Sequence, residues 1–170
     1  MKKHILLLFF TSLFALNACF QDIDFWTDYS NYKPIYMKRS EMNSQIKLLT
    51  SHPLLNPAKI YVSGNYIFIN EKYKGIHIID NSNPAAPLNI AYVQLPGNID
   101  FAVKNGFIYA DNGPDLVTLK IGTSFSSLTV SSRIENALPA IPIPDGLPLE
   151  PRYTGSNVPT DAILIGFESK

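Results

Sequence analysis

The 170-residue chain is predicted to be all-β, built from two small antiparallel sheets of short strands that repeat one pattern. Three observations predict this. After Pro57 the apolar residues fall in short runs rich in Ile, Val, Tyr and Phe, the residues that fit a pleated surface. Gly-Asn and Asn-Gly pairs separate two of these runs from their neighbours, and such pairs accept positive φ and close tight hairpins. Shifted by forty-one residues, the pattern of the first sheet returns in the second.

Composition supports a packed core and excludes several function classes. Hydrophobic residues make up 46% and aromatic residues 12%, with only 16% charged. Fourteen basic side chains balance fourteen acidic ones, so the chain is neither a basic nucleic-acid binder nor an acidic disordered tail. Thirteen Pro against nine Gly argue against long helices. The length allows one domain or a piece of a larger one.

Residues 1–18 read as a lipoprotein signal peptide. Lys2 and Lys3 precede an apolar run from Ile5 to Leu16, which suits a signal-peptide core and is too short to span a bilayer of about 30 Å. Leu16-Asn17-Ala18-Cys19 resembles the bacterial lipobox, which implies lipidation of Cys19. Cys19 is the chain's single cysteine and has no disulfide partner. Cleavage before it leaves 170 − 18 = 152 residues. Several acyl chains hold a protein on a membrane far better than one, at about 0.8 kcal/mol per buried methylene. No Asp follows Cys19 directly, and Asp22 and Asp24 faintly resemble the acidic export signal of surface lipoproteins. The expected location is the cell envelope, lipid-anchored at the outer membrane, on its periplasmic face or at the cell surface.

Residues 19–56 read as an extended, lipid-anchored tether. Phe25, Trp26, Tyr29, Tyr32 and Tyr36 are expected to pack on the domain or lie near the membrane, or to offer sugar-stacking platforms. Ser40 to Ile46 can form one or two helical turns with Ser40 as cap. Residues 57–136 hold the two β repeats. In the first, strands are expected at Ile60-Tyr61-Val62, Tyr66-Ile67-Phe68-Ile69, Ile76-His77-Ile78-Ile79 and Asn89 to Leu95, with a hairpin turn at Gly64-Asn65. In the second, Val103, Asn105-Gly106, Phe107, Ile108, Tyr109 and Asp111 match Val62, Gly64-Asn65, Tyr66, Ile67, Phe68 and Asn70, and Leu116-Val117-Thr118-Leu119 follows at an offset of forty. Residues 137–170 combine a Pro-rich loop, with six Pro between Leu138 and Pro159, and a terminal strand from Ala162 to Phe167.

Four short strands per forty-odd residues is the period of a propeller blade. Strands apolar on both faces, as Tyr66 to Ile69 is, must be covered on both faces, whereas sheets open to water alternate. The fold expected is therefore a partial β-propeller of two blades. The stretch Gly75-Ile76-His77-Ile78-Ile79-Asp80-Asn81-Ser82-Asn83-Pro84-Ala85-Ala86-Pro87 closely resembles the LVIVD repeat, a hydrophobic strand ending in Asp, then a Ser-Asn-Pro turn and a second Pro. The resemblance runs from Pro57 to Gly97 and is degenerate from Asn98 to Asn136, where Lys120-Ile121-Gly122-Thr123 replaces the turn. It implies propeller blades, often in secreted or lipid-anchored bacterial proteins. The physical role of the motif is local: Asp80 bonds backbone N–H groups of its turn and Pro presets φ.

Motifs for chemistry are scarce. No spacing resembles a zinc site, which needs convergent His, Cys or carboxylate ligands, and neither metal nor cofactor is expected. There is no Gly-x-Ser-x-Gly elbow, phosphate loop or His-Glu-x-x-His. His77 reads as a satisfied strand residue and His52 as a loop residue before Pro53. Asp111-Asn112-Gly113-Pro114-Asp115 reads as a turn, since it lacks the acid at its third position and the distal Glu of a calcium loop. Glu71-Lys72-Tyr73-Lys74 reads as a solvated hairpin tip or a contact surface. No catalytic residue is assigned. The expected function is a non-enzymatic envelope module that meets the membrane through its lipid, binds a protein or glycan partner, and binds no nucleic acid. The alternative is a fragment of a surface or periplasmic propeller enzyme whose catalytic residues lie on missing blades. Two blades alone are expected to leave an apolar outer face uncovered, unless the Pro-rich segment and the last strand fold over it.

Overall fold

The computed structural model describes residues 30–170. The signal peptide, Cys19, Asp22, Asp24, Phe25, Trp26 and Tyr29 lie outside the described residues. The fold is all-β, with propeller-like blades. In chain order the elements are β1 (Tyr32–Lys38), α1 (Arg39–Ser44), β2 (Lys47–Leu49), β3 (Pro57–Ser63), β4 (Tyr66–Glu71), β5 (Gly75–Asp80), β6 (Leu88–Gln94), β7 (Phe101–Lys104), β8 (Phe107–Asn112), β9 (Asp115–Ile121), β10 (Leu128–Ile134) and β11 (Ala162–Ser169). Blade 1 has the strand order β2-β6-β5-β4-β3, blade 2 the order β10-β9-β8-β7, and β1 pairs with β11 in a separate two-stranded sheet.

The expected hairpins form where the turn chemistry places them. Ser63 pairs with Tyr66 around Gly64-Asn65, with Gly64 at φ 58°. Lys104 pairs with Phe107 around Asn105-Gly106, both at positive φ. Asp80 ends β5 and its carboxylate accepts the Ser82 N–H at 2.8 Å, while Asn83 does the same for Ala85. These Asx turns supply the local device that the sequence pattern carries.

Period-two alternation then decides which side chains meet between the blades. Phe68, Ile76, Ile78, Ala91 and Val93 of blade 1 share one core with Phe101, Ile108, Ala110, Val117 and Leu119 of blade 2. Tyr61 adds a hydrogen bond from its hydroxyl to the Val103 carbonyl at 3.0 Å. Tyr66 is half-buried, because it sits at the hairpin end of β4. The opposite face of blade 1 carries Ile60 and Val62 at 60% and 63% exposure.

Three features differ from expectation. The tether ends earlier than residue 56: Tyr32–Lys38 is a strand, and Lys47–Leu49 adds a fifth strand to the edge of blade 1. The extended run containing Tyr32 and Tyr36 pairs with residues 124 to 137 positions away, from Lys38↔Ala162 to Tyr32↔Ser169, which no local pattern reveals. The helix caps on Lys38, not on Ser40, and its cap makes no side-chain hydrogen bond; Met42 anchors it, fully buried. The final strand covers the ends of the blades, not the outer face of blade 1. Gly166 of β11 lies against the Tyr73 ring, where an added Cβ would meet ring carbon Cγ at 2.5 Å. Gly97, at φ 76°, lets the inter-blade loop touch Gly113, where a Cβ would come within 2.5 Å of its backbone nitrogen. The Pro-rich segment holds two short 3₁₀ turns and no strand, as its prolines require.

A buried polar relay ties the blades at the same end. Asn70 and Asp111 occupy matching repeat positions, and Asn98 bridges them. Asn70 Nδ2 donates to Asn98 Oδ1 and Asn98 Nδ2 to Asp111 Oδ1, each at 2.6 Å. Asp111 also accepts the N–H groups of Ile99 and Asp100. Burial pushes its carboxyl up to about 6, against the pull of those hydrogen bonds. The sign of the consequence follows from proton linkage: the folded chain holds this proton where the unfolded chain, at about 3.9, has lost it. Asp111 therefore makes stability fall as pH rises from about 4 to 6. Denaturant midpoints measured across that window are expected to fall less steeply in Asp111→Asn; an unchanged pH profile would refute the assignment.

Candidate functional site

The hairpin tip at Glu71-Lys72-Tyr73-Lys74, the loop from Gln94 to Asn98 and the β1–β11 sheet meet at one end of the blades. Between them opens a cleft of about 830 Å³. Tyr32, Tyr73, Tyr92, Ile165 and Phe167 give it apolar and aromatic walls, and Lys72, Lys74, Gln94 and Glu168 add polar groups. Its shape arises from β-pairing: β11 lies over the tip because Gly166 leaves room for the Tyr73 ring. Backbone bonds fix the tip itself, from Tyr73 N–H to the Asn98 carbonyl at 2.7 Å and from Gly97 N–H to the Tyr73 carbonyl at 2.8 Å. Of the aromatic residues named from sequence, Tyr32 lines this cleft and Tyr36 turns to the Tyr153 carbonyl at 2.8 Å.

Beside the cleft, on the outer face of blade 1, lies a cluster of titratable side chains. His77 of β5 is fully buried, and its Nε2 faces Glu71 Oε2 at 3.0 Å. Glu71, expected at a solvated tip, is instead almost wholly buried, because residues 67, 69 and 71 of β4 point to the same face as His77. Its other oxygen accepts from Lys74 Nζ at 3.0 Å. The Ser51–Asn56 loop crosses this face and sets the His52 ring edge-on against His77 and Tyr92, with centroids 4.7 and 4.3 Å away. Asn89 Nδ2 pins the loop by donating to the His52 carbonyl at 2.8 Å, and it also faces His77 Nδ1 at 3.3 Å. The cluster thus joins the loop, β4, β5 and β6.

Electrostatics follow from burial and pairing. Burial alone would raise the Glu71 pKa, but hydrogen bonds from His77 and Lys74 outweigh it and hold the carboxyl below its ordinary value. Burial raises the Tyr92 hydroxyl well above the ordinary tyrosine value, and the Glu71 charge adds to this. A ligand atom from each of His52, Glu71 and His77 lies within 4.8 Å of the other two. Sequence reasoning separated these residues: His77 was expected to be satisfied within its strand, which it is, but His52 approaches only because the loop folds back. Asp111 and Asp115 do not converge. Asp111 serves the inter-blade relay, while Asp115 pairs with Arg39 and Arg133.

Comparisons with known proteins place the first blade. Residues 57–93, spanning β3 to β6, match the LVIVD repeat family. Neither the curated proteins nor the solved structures gave a match.

Proposed function

We propose that this LVIVD-repeat protein is a non-enzymatic interaction module, held on the cell-envelope membrane by lipidated Cys19, whose cleft binds a protein or glycan partner. The observation that carries the proposal is the cleft itself. Its walls present Tyr32, Tyr73 and Phe167 beside lysines, and it is open to solvent at the end of propeller-type blades. Aromatic rings with polar neighbours suit the alternating apolar and hydroxyl surfaces of a sugar, and loops on blade ends commonly carry function. Among the described residues no helix is long and apolar enough to cross a membrane.

Two measurements test the parts separately. Fatty-acid labelling is expected in the wild type and lost in Cys19→Ala; equal labelling of both ends the anchor proposal. On a glycan array, Tyr32→Ala is expected to lose binding by about tenfold, equal to about 1.4 kcal/mol. An array with no bound glycan would point the cleft to a protein partner.

A second function is favoured by the outer face of blade 1. Ile60 and Val62 lie exposed there as a further blade would cover them. On that account the two blades pack against further blades, and an enzyme with its catalytic residues on those blades is the alternative function.

A further inference from the structure

We infer that His52, Glu71 and His77 form a binding site for a divalent transition-metal cation of zinc type. The site is separate from the cleft proposal, so either can fail alone. The donor set carries the choice of ion. Two imidazoles and one carboxylate suit zinc, whereas calcium and magnesium take oxygen ligands only. In a tetrahedral zinc site with bonds of about 2.0–2.2 Å, neighbouring ligand atoms lie roughly 3.3 Å apart. His77 Nε2 and Glu71 Oε2 already lie 3.0 Å apart, and one ligand atom from each of the three residues lies within 4.8 Å of the others. The remaining adjustment falls on His52, which lies in a loop with no strand or helix of its own.

Each side chain has a donor atom that can turn to the ion. Lys74 occupies Glu71 Oε1, so Oε2, which accepts from His77 in the metal-free state, is the oxygen that ligates once the ion replaces that bond. His52 Nδ1 lies 3.0 Å from the Pro53 carbonyl and carries the proton toward it, so Nε2 holds the lone pair. In the metal-free state His77 holds its proton on Nε2, toward Glu71, because Asn89 donates to Nδ1. On binding, the ring takes up the tautomer protonated on Nδ1, with no net loss of a proton, and Nε2 ligates the ion. Asn89 Oδ1, a buried oxygen without a hydrogen-bond partner, then turns to accept from Nδ1–H. A carbonyl or carboxylate partner on the far ring nitrogen is the usual support for a ligating histidine. The turn also releases the His52 carbonyl from Asn89 and frees the loop to close on the ion.

The test uses the full chain in detergent, with Cys19→Ser so that the thiol cannot contribute. Calorimetric titration with Zn²⁺ alone is expected to show one equivalent, and Co²⁺ is expected to give the visible bands of a four- or five-coordinate nitrogen–oxygen site. His52→Ala removes a loop ligand while leaving β4 to β6 intact. It is expected to stay folded without metal and to weaken Zn²⁺ binding by about 100-fold, since a ligand counts for at least as much as the 10–100-fold of its outer-shell partners. Asn89→Asp is expected to tighten binding, because an aspartate can only accept from Nδ1–H. Absence of a single Zn²⁺ equivalent overturns the inference. So does Zn²⁺ binding unchanged by His52→Ala, which would place the ion elsewhere.

Discussion

Asp115→Ala is expected to cost the fold about 3–5 kcal/mol, the range for removing one partner of a buried ion pair. The carboxylate has no exposed surface. Its Oδ2 accepts from Arg133 Nη1 at 2.6 Å and from Arg39 Nη1, and its Oδ1 accepts the Asn136 N–H at 3.0 Å. Arg133 continues to Asn112 Oδ1 at 2.9 Å, and Asn112 Nδ2 reaches the Pro96 carbonyl at 2.5 Å. One carboxylate therefore joins α1, both edges of the β8–β9 turn, β10 and the inter-blade loop. Truncation leaves two guanidinium groups without their carboxylate, with only Asn136 Oδ1 and Asn112 Oδ1 still accepting from them, and a backbone N–H unpaired. Asp115→Asn keeps an acceptor and is expected to recover part of the loss. Denaturant unfolding measures both, and a cost below about 1 kcal/mol for the alanine variant would mean that solvent replaces the pair. The pH dependence has the opposite sign to that of Asp111. Burial raises the Asp115 carboxyl, but Arg39, Asn136 and Arg133 outweigh it and hold the pKa below the ordinary value. Its contribution is complete above the unfolded value of about 3.9 and is lost as pH falls through the folded one.

Ile78→Ala is expected to cost roughly 2–5 kcal/mol through lost burial and the cavity left behind. Ile78 is fully buried in β5, in register with Phe68 on one side and Ala91 on the other, on the face that meets blade 2. The same truncation at Ile60 is the control. That residue is 60% exposed on the opposite face of blade 1, so its loss is expected to stay within about 0.5 kcal/mol. Together the two variants measure which face of the blade is covered. Equal costs would show that something also covers the β3 side of the outer face, beyond the loop that covers His77.

The strands of both blades were legible because each depends on residues close in sequence. Apolar runs, the Gly64-Asn65 and Asn105-Gly106 turns, and the Asp80 Asx turn are local features, and the repeat offset gives the same hairpin twice. The link between Asn70 and Asp111 was visible as matching positions, though not as a shared relay, because its bridge, Asn98, belongs to neither pattern. The helix was legible and its cap was not: Met42 holds it by burial, so a side-chain cap on Ser40 was not required. The candidate site was legible only in pieces. His77 and Glu71 lie six residues apart and share a face by strand alternation, yet the turn between them hides that pairing from a linear reading.

By itself, the sequence determined the all-β class, the two blades, the positions of their hairpins and the absence of sheet from the Pro-rich segment. All of these follow from local φ/ψ preference and period-two burial. Only the tertiary structure decided that Tyr32–Lys38 pairs with the C-terminal strand, that Lys47–Leu49 extends blade 1, and that His52 reaches His77. It also decided that Asp115 gathers one arginine from the neighbouring strand β10 and another 76 residues away in α1. The physical reason is common to all four. A strand edge, a loop crossing and a buried charge pair are chosen by what lies opposite in space, and residues tens to more than a hundred positions away leave no periodic trace at the position they meet.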